Sequence, residues 1–113
     1  MKIEMSSAYQ KGIKKCKKRN WDTDLLADIL QSYVSKEGFD SYETIKYHDH
    51  DLKGNWKGHR EFHPYGRKHN WVVVYHVEPG VLVLDATDSD KVLVLDDTGS
   101  HDEIFGEILT ATH

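Results

Sequence analysis

Apolar residues recur at helical spacing along the first third of the chain. Tyr9, Ile13 and Cys16 fall at i, i+4 and i+7 among lysines, which predicts a helix with one buried stripe. Ser7-x-x-Gln10 reads as a capping box at its start. Asn20 and Trp21 break the pattern, and Asp22 is a natural N-cap for a second helix. There Leu25, Leu26, Ile29, Leu30, Tyr33 and Val34 keep the period, and Gly38 is a stop signal. Two consecutive helices this short predict a hairpin. Ahead of them, Lys2-Ile3-Glu4 predicts a short strand.

Residues 39–70 lose that period. They are polar, rich in aromatics and histidines, and punctuated by Gly54, Gly58, Pro64 and Gly66. Part of this stretch is expected to be loop, with His59–His63 alternating as a short strand. Trp71–Val77 is a strong β run, and Glu78-Pro79-Gly80 is a turn signal. Val81–Leu84 and Val92–Leu95 predict further strands around a polar insert, Ala86–Asp90. Thr98-Gly99 is expected to break the last strand. Ser100-x-x-Glu103 is a second capping box, opening a short helix marked by Ile104, Phe105, Ile108 and Leu109. The order predicts an α+β fold: a small antiparallel sheet, an N-terminal helical hairpin on one face, and a short C-terminal helix.

The length of 113 residues and mass of 13.1 kDa bound this to one domain, 1–113, with one modest core. That excludes a TIM barrel or a two-domain enzyme. The longest apolar run, Trp71–Val77, is far short of the roughly 20 residues that span a bilayer, so no membrane is expected. No signal peptide is expected from the polar opening. The single cysteine, Cys16, excludes an intrachain disulfide framework. Together these features predict a cytoplasmic protein.

A net charge of −4 hides two basic segments. Residues 1–20 carry seven Lys/Arg against Glu4, and residues 46–70 carry six against three acids. If they share a face, that face suits a phosphate backbone; alternatively each is a solvated surface.

Six of the eight histidines lie between His48 and His76, interspersed with Asp49, Asp51 and Glu61. His59-x-x-x-His63 has helical metal-ligand spacing, but it does not look helical and no cysteines support it. No metal and no cofactor are expected. RNA cleavage needs a base for the 2′-hydroxyl, an acid for the departing 5′-oxygen, and a cation or N–H cluster for the phosphorane. His50, Arg60, Glu61, His63 and His101 supply all these types. His101 would also begin a helix capped by Ser100, where free N–H groups favour phosphate. Trp56, Trp71, Tyr65 and Phe105 are candidates for stacking on bases; for Trp71, at the start of a β run, core packing competes with that role. Phe105 lies four residues after His101, on the same side of the helix.

The stretch Asp49-His50-Asp51-Leu52-Lys53-Gly54-Asn55-Trp56-Lys57-Gly58-His59-Arg60-Glu61-Phe62-His63 resembles the D-H-x-L-x-G-x-W-x-G-x-R-D/E-x-H signature of the YafQ toxins. These belong to the RelE/ParE superfamily of bacterial toxin–antitoxin systems. Thr98-Gly99-Ser100-His101-Asp102-Glu103-Ile104-Phe105-Gly106 resembles the family's ending, and Asn70-Trp71-Val72-Val73-Val74-Tyr75 its central strand. The resemblance is strong over about 46–106; residues 1–40 agree in helical layout more than in letters.

The resemblance implies a RelE-like, microbial-RNase-like fold. It implies an endoribonuclease that cleaves mRNA at the ribosome, in the A site formed by 16S rRNA, and so arrests translation. It also implies silencing by a DinJ-type antitoxin. The family's catalytic positions fall on His50, Glu61, His63, His101 and Phe105. Arg60, Lys53, Asn70, Trp71 and Arg67 are then expected on the substrate. Three departures stand out: Glu61 replaces a frequent Asp, Asn70 replaces an acid, and Asp97 stands where relatives often carry an arginine. Arg60, Lys53, Arg67 and Lys68 are the local cations able to compensate. The alternative is a RelE/ParE-fold toxin that acts by binding a protein without cutting RNA.

Overall fold

The structure, a computed structural model, describes residues 1–79 and 91–106. The predicted strand Val81–Leu84, the insert Ala86–Asp90, and Ile108 and Leu109 lie outside the described residues. Strand β1 (Lys2–Met5) leads into helices α1 (Ser7–Lys18) and α2 (Thr23–Lys36), followed by α3 (Ser41–Lys46). Then come β2 (His50–Asp51), a 3-10 turn at Gly54–Trp56, β3 (Arg60–Phe62), β4 (Trp71–Glu78), β5 (Val92–Ser100) and α4 (His101–Phe105).

The sheet runs β1-β5-β4-β3-β2. Strands β2 to β5 pair antiparallel as expected, whereas β1 joins the far edge parallel to β5. Parallel pairing follows from the connection, because the helical pair carries the chain across one face before the sheet is completed.

Local chemistry explains the helix ends. The cap of α1 is Ser6, one residue earlier than the predicted box: its Oγ accepts from Tyr9 N and donates to the Asp96 carbonyl. Gln10 instead reaches back to the Met5 carbonyl. Asp22 caps α2 as predicted. Helix α3 was hidden in a stretch without apolar period; it is nucleated by a full capping box between Asp40 and Glu43. Thr98-Gly99 does not break β5, which continues through Ser100 because Gly99 pairs with Val72 and Ser100 with Trp71.

The main core lies between the sheet and the α1/α2 pair. Tyr9, Cys16, Leu26, Ile29, Leu30 and Tyr33 pack on Phe62, Trp71, Val73, Tyr75, Leu93 and Leu95. Side chains alternate along β4, so Val72 and Val74 are buried on the opposite face. Helix α1 crosses β5 so closely that a Cβ at Gly12 would lie 2.1 Å from the Thr98 carbonyl oxygen. Among the described residues no helix is long and apolar enough to cross a membrane.

Candidate functional site

The antiparallel register aligns His50 on β2 with Glu61 on β3, and Glu61 in turn with Val74 on β4. His50 and Glu61 therefore share the face opposite the α1/α2 core. His63, just past β3, is anchored by its own N–H to the Tyr47 carbonyl at 2.7 Å. His50 Nε2 lies 3.2 Å and His63 Nε2 3.3 Å from the same oxygen, Glu61 Oε1. Their other nitrogens are committed to main-chain carbonyls: His50 Nδ1 to His48 at 2.9 Å and His63 Nδ1 to His69 at 3.0 Å. A carbonyl only accepts, so each Nδ1 carries a proton and each Nε2 is left to deal with the carboxylate.

Glu61 is almost wholly buried, and its Oε2 has no hydrogen-bond partner within the described chain. Burial pushes the carboxyl pKa up, but His63, His50 and His101 outweigh it, and Glu61 titrates below its ordinary value. Burial pulls His63 down, but the Glu61 carboxylate and the His69 carbonyl outweigh that, and it titrates above its ordinary value. Each member of the pair thus favours the charged form of the other.

His48 adds a third ring to the cluster. It sits in the left-handed region at φ 50°, a conformation uncommon for a residue with a side chain. That turn between α3 and β2 brings its ring 4.6 Å from His50 and 5.4 Å from His63. Burial and the nearby His50, His63 and Arg67 lower its pKa. Spacing of two residues ahead of His50 was the available signal.

His101 is the first residue of α4, which Ser100 and Glu103 cap reciprocally. Its N–H donates to the Asn70 carbonyl at 2.8 Å, so Asn70 positions it through the main chain. The His101 ring stacks 4.7 Å from Phe105, which meets Trp56 at 5.6 Å. Lys53 and Arg67 are exposed.

Two expected substrate contacts are differently placed. Trp71 is fully buried, with its indole N–H donated to Thr98 Oγ1 at 2.9 Å; it faces the core because β4 alternation sends it there with Val73 and Tyr75. Arg60 is bound at 2.8 Å to Asp49 and 2.5 Å to Asp51. It alternates with Glu61 on β3 and lies near Tyr75, away from the histidines. Asp97 has its pKa raised by burial; its charged neighbours are Lys15, Glu103 and Asp96.

Comparison with known proteins first defines the class. Over residues 1–106 the chain matches the family model for bacterial toxins of type II toxin–antitoxin systems, YafQ. The chain belongs to this YafQ toxin family. It is 29% identical to the mRNA interferase toxin YafQ of Escherichia coli K12, covering 92% of this chain and 95% of that one. Among solved structures, the E. coli DinJ–YafQ toxin–antitoxin complex superposes with a TM-score of 0.66 at 30% identity, covering 92% of this chain and 96% of that one. A metal-bound toxin from Helicobacter pylori superposes with a TM-score of 0.67 at 28% identity, covering 93% and 99%. The α+β class expected from the sequence is that of these relatives.

Proposed function

We propose that this toxin is an endoribonuclease that cleaves mRNA in the cytoplasm by general acid–base chemistry, engaging its substrate in the ribosomal A site. The observation that carries the reading is the convergence of His50 Nε2 and His63 Nε2 on one oxygen of the buried Glu61. Such a cluster holds and exchanges protons near neutral pH. In the reaction the 2′-oxygen bonds to phosphorus and the bond to the 5′-oxygen breaks, leaving a 2′,3′-cyclic phosphate. The 2′-hydroxyl proton passes to the His50–Glu61 pair. His101, near enough in charge to lower Glu61, protonates the departing 5′-oxygen. His63 stays charged and holds Glu61 ionised.

Phe105 and Trp56 form the aromatic wall on which a base stacks. Arg67 and Lys53 supply positive charge to phosphate in place of the family arginine. Exposed lysines on α1 (Lys11, Lys14, Lys15, Lys17, Lys18) suit either ribosomal RNA or an acidic stretch of a DinJ-type antitoxin, the partner seen in the complex of the E. coli relative.

Asp97 and the sequestered Arg60 favour a second reading, protein binding without RNA cleavage, because both remove positive charge expected at the reacting phosphate. One experiment separates the two. The wild type and His101→Ala are induced in bacteria, and RNA ends are mapped with a method specific for cyclic phosphates. Cleavage lost in the variant supports the nuclease; growth arrest by both without cleavage refutes it.

A further inference from the structure

Two histidines take no part in the Glu61 cluster and meet on the sheet. Strand β5 has a bulge opposite Val74 and Tyr75: Val74 pairs with Asp97 and Tyr75 with Leu95, leaving Asp96 as the extra residue. A bulge re-aims the side chain it carries. Asp96 Oδ2 lies 2.9 Å from His59 Nδ1 and 2.7 Å from His76 Nδ1. The two rings are 4.8 Å apart. One ligand atom from each of the three residues lies within 4.8 Å of the others, and all three side chains are half-buried.

The far side of His76 is the informative part. Its Nε2 lies 2.9 Å from Glu78 Oε1. Metal-bound histidines almost always give their second N–H to a carboxylate or carbonyl, which fixes the tautomer and leaves the first nitrogen for the ion. Here that arrangement is present, with Nδ1 facing Asp96 and Nε2 facing Glu78. His59 is held on its own side by the Trp56 ring at 5.5 Å.

We propose that His59 Nδ1, His76 Nδ1 and Asp96 Oδ2 form a binding site for a zinc-class divalent cation, with Glu78 as the outer carboxylate. Two imidazoles and one carboxylate suit zinc and its neighbours better than magnesium or calcium. Three protein ligands leave a fourth tetrahedral position for water. Ligand atoms about 2.0–2.2 Å from zinc sit somewhat further apart than hydrogen-bonded atoms do. The present 2.7 and 2.9 Å contacts therefore need only a small opening when the ion replaces the bridging protons. The bound ion would clip the residue before β3 to β4 and β5. It shares no ligand with the Glu61 cluster and takes no part in the proton transfers.

The test uses the whole toxin and no RNA, so its failure is independent of whether the toxin is a nuclease. Co²⁺ is titrated as a spectroscopic stand-in, and Zn²⁺ retained after dialysis is measured by mass spectrometry. The wild type is expected to bind one equivalent with the visible bands of nitrogen- and oxygen-ligated cobalt. The double variant His59→Ala/His76→Ala is expected to lose it, while His50→Ala/His63→Ala keeps it. Glu78→Gln, an exposed change with little bearing on folding, is expected to weaken binding about 10–100-fold. Absence of bound metal in the wild type overturns the proposal. So does metal that survives in the His59/His76 variant, or affinity unmoved by Glu78→Gln.

Discussion

Arg19, just past the end of α1, grips both carboxylate oxygens of Glu103 in α4, each at 2.6 Å. Glu103 also completes the cap of the helix that begins with His101. The basic helix and His101 are therefore mechanically joined. The bond to Arg19 outweighs burial and lowers the Glu103 pKa to about 2. Arg19→Ala is expected to lower RNA cleavage several-fold by loosening α4. The loss of stability should be only about 0.5–1 kcal/mol, since both side chains are about one-third exposed. Urea unfolding and cleavage assays on the same variant check the split. Because the folded pKa is depressed, this stabilisation is present above the unfolded carboxylate value and is lost as pH falls toward 2.

Glu61→Gln is expected to reduce cleavage about 10²–10⁴-fold. It also makes a statement about protons. His63 has a raised pKa and Glu61 a lowered one. The pair's stabilisation is therefore greatest between the unfolded carboxylate and imidazole values, roughly pH 4.3 to 6.5. It is lost as pH rises through the raised His63 pKa and as pH falls through the lowered Glu61 pKa. NMR titration of His63 should show its pKa fall in Glu61→Gln; an unchanged titration would contradict the ion pair.

Arg60→Ala is expected to act on stability rather than on RNA. Asp49 is largely buried, receives Arg60, and accepts from Tyr75 Oη at 2.5 Å. Removing the guanidinium strands a carboxylate and should cost about 1–3 kcal/mol, below a fully buried pair because Arg60 is partly exposed. Thermal unfolding and the RNA dissociation constant, measured together, test this.

Arg67→Ala is expected to weaken RNA binding across sequences and to reduce the dependence of log affinity on log salt by about one. A salt series by fluorescence anisotropy reads both. An unchanged slope would remove Arg67 from the phosphate path.

Gly12→Ala should destabilise by about 1–3 kcal/mol even though alanine is the better helix former. The added methyl meets the Thr98 carbonyl at 2.1 Å, and backbone cannot rotate aside as a side chain can. The urea midpoint measures it.

Local pattern determined much of this protein. The 3.6-residue period of Tyr9, Ile13 and Cys16, the Asp22 cap and the β run from Trp71 depend only on neighbours along the chain, and those elements form where they were read. The capping box at Ser100 and Glu103 has the same origin. The motif order around His50, Glu61, His63 and His101 was equally legible and carried the family. Only the tertiary structure decided which face each charge takes. Arg60 and Glu61 are adjacent in sequence, yet β3 alternation sends one to Asp49 and the other to the histidines. His48 joins the cluster through a left-handed turn that composition does not encode. His59 and His76 meet Asp96 across 37 and 20 residues of chain because a single bulge turns that carboxylate toward them. Periodicity is a nearest-neighbour property, whereas electrostatic partners are chosen by strand order and register, which exist only once the sheet has formed.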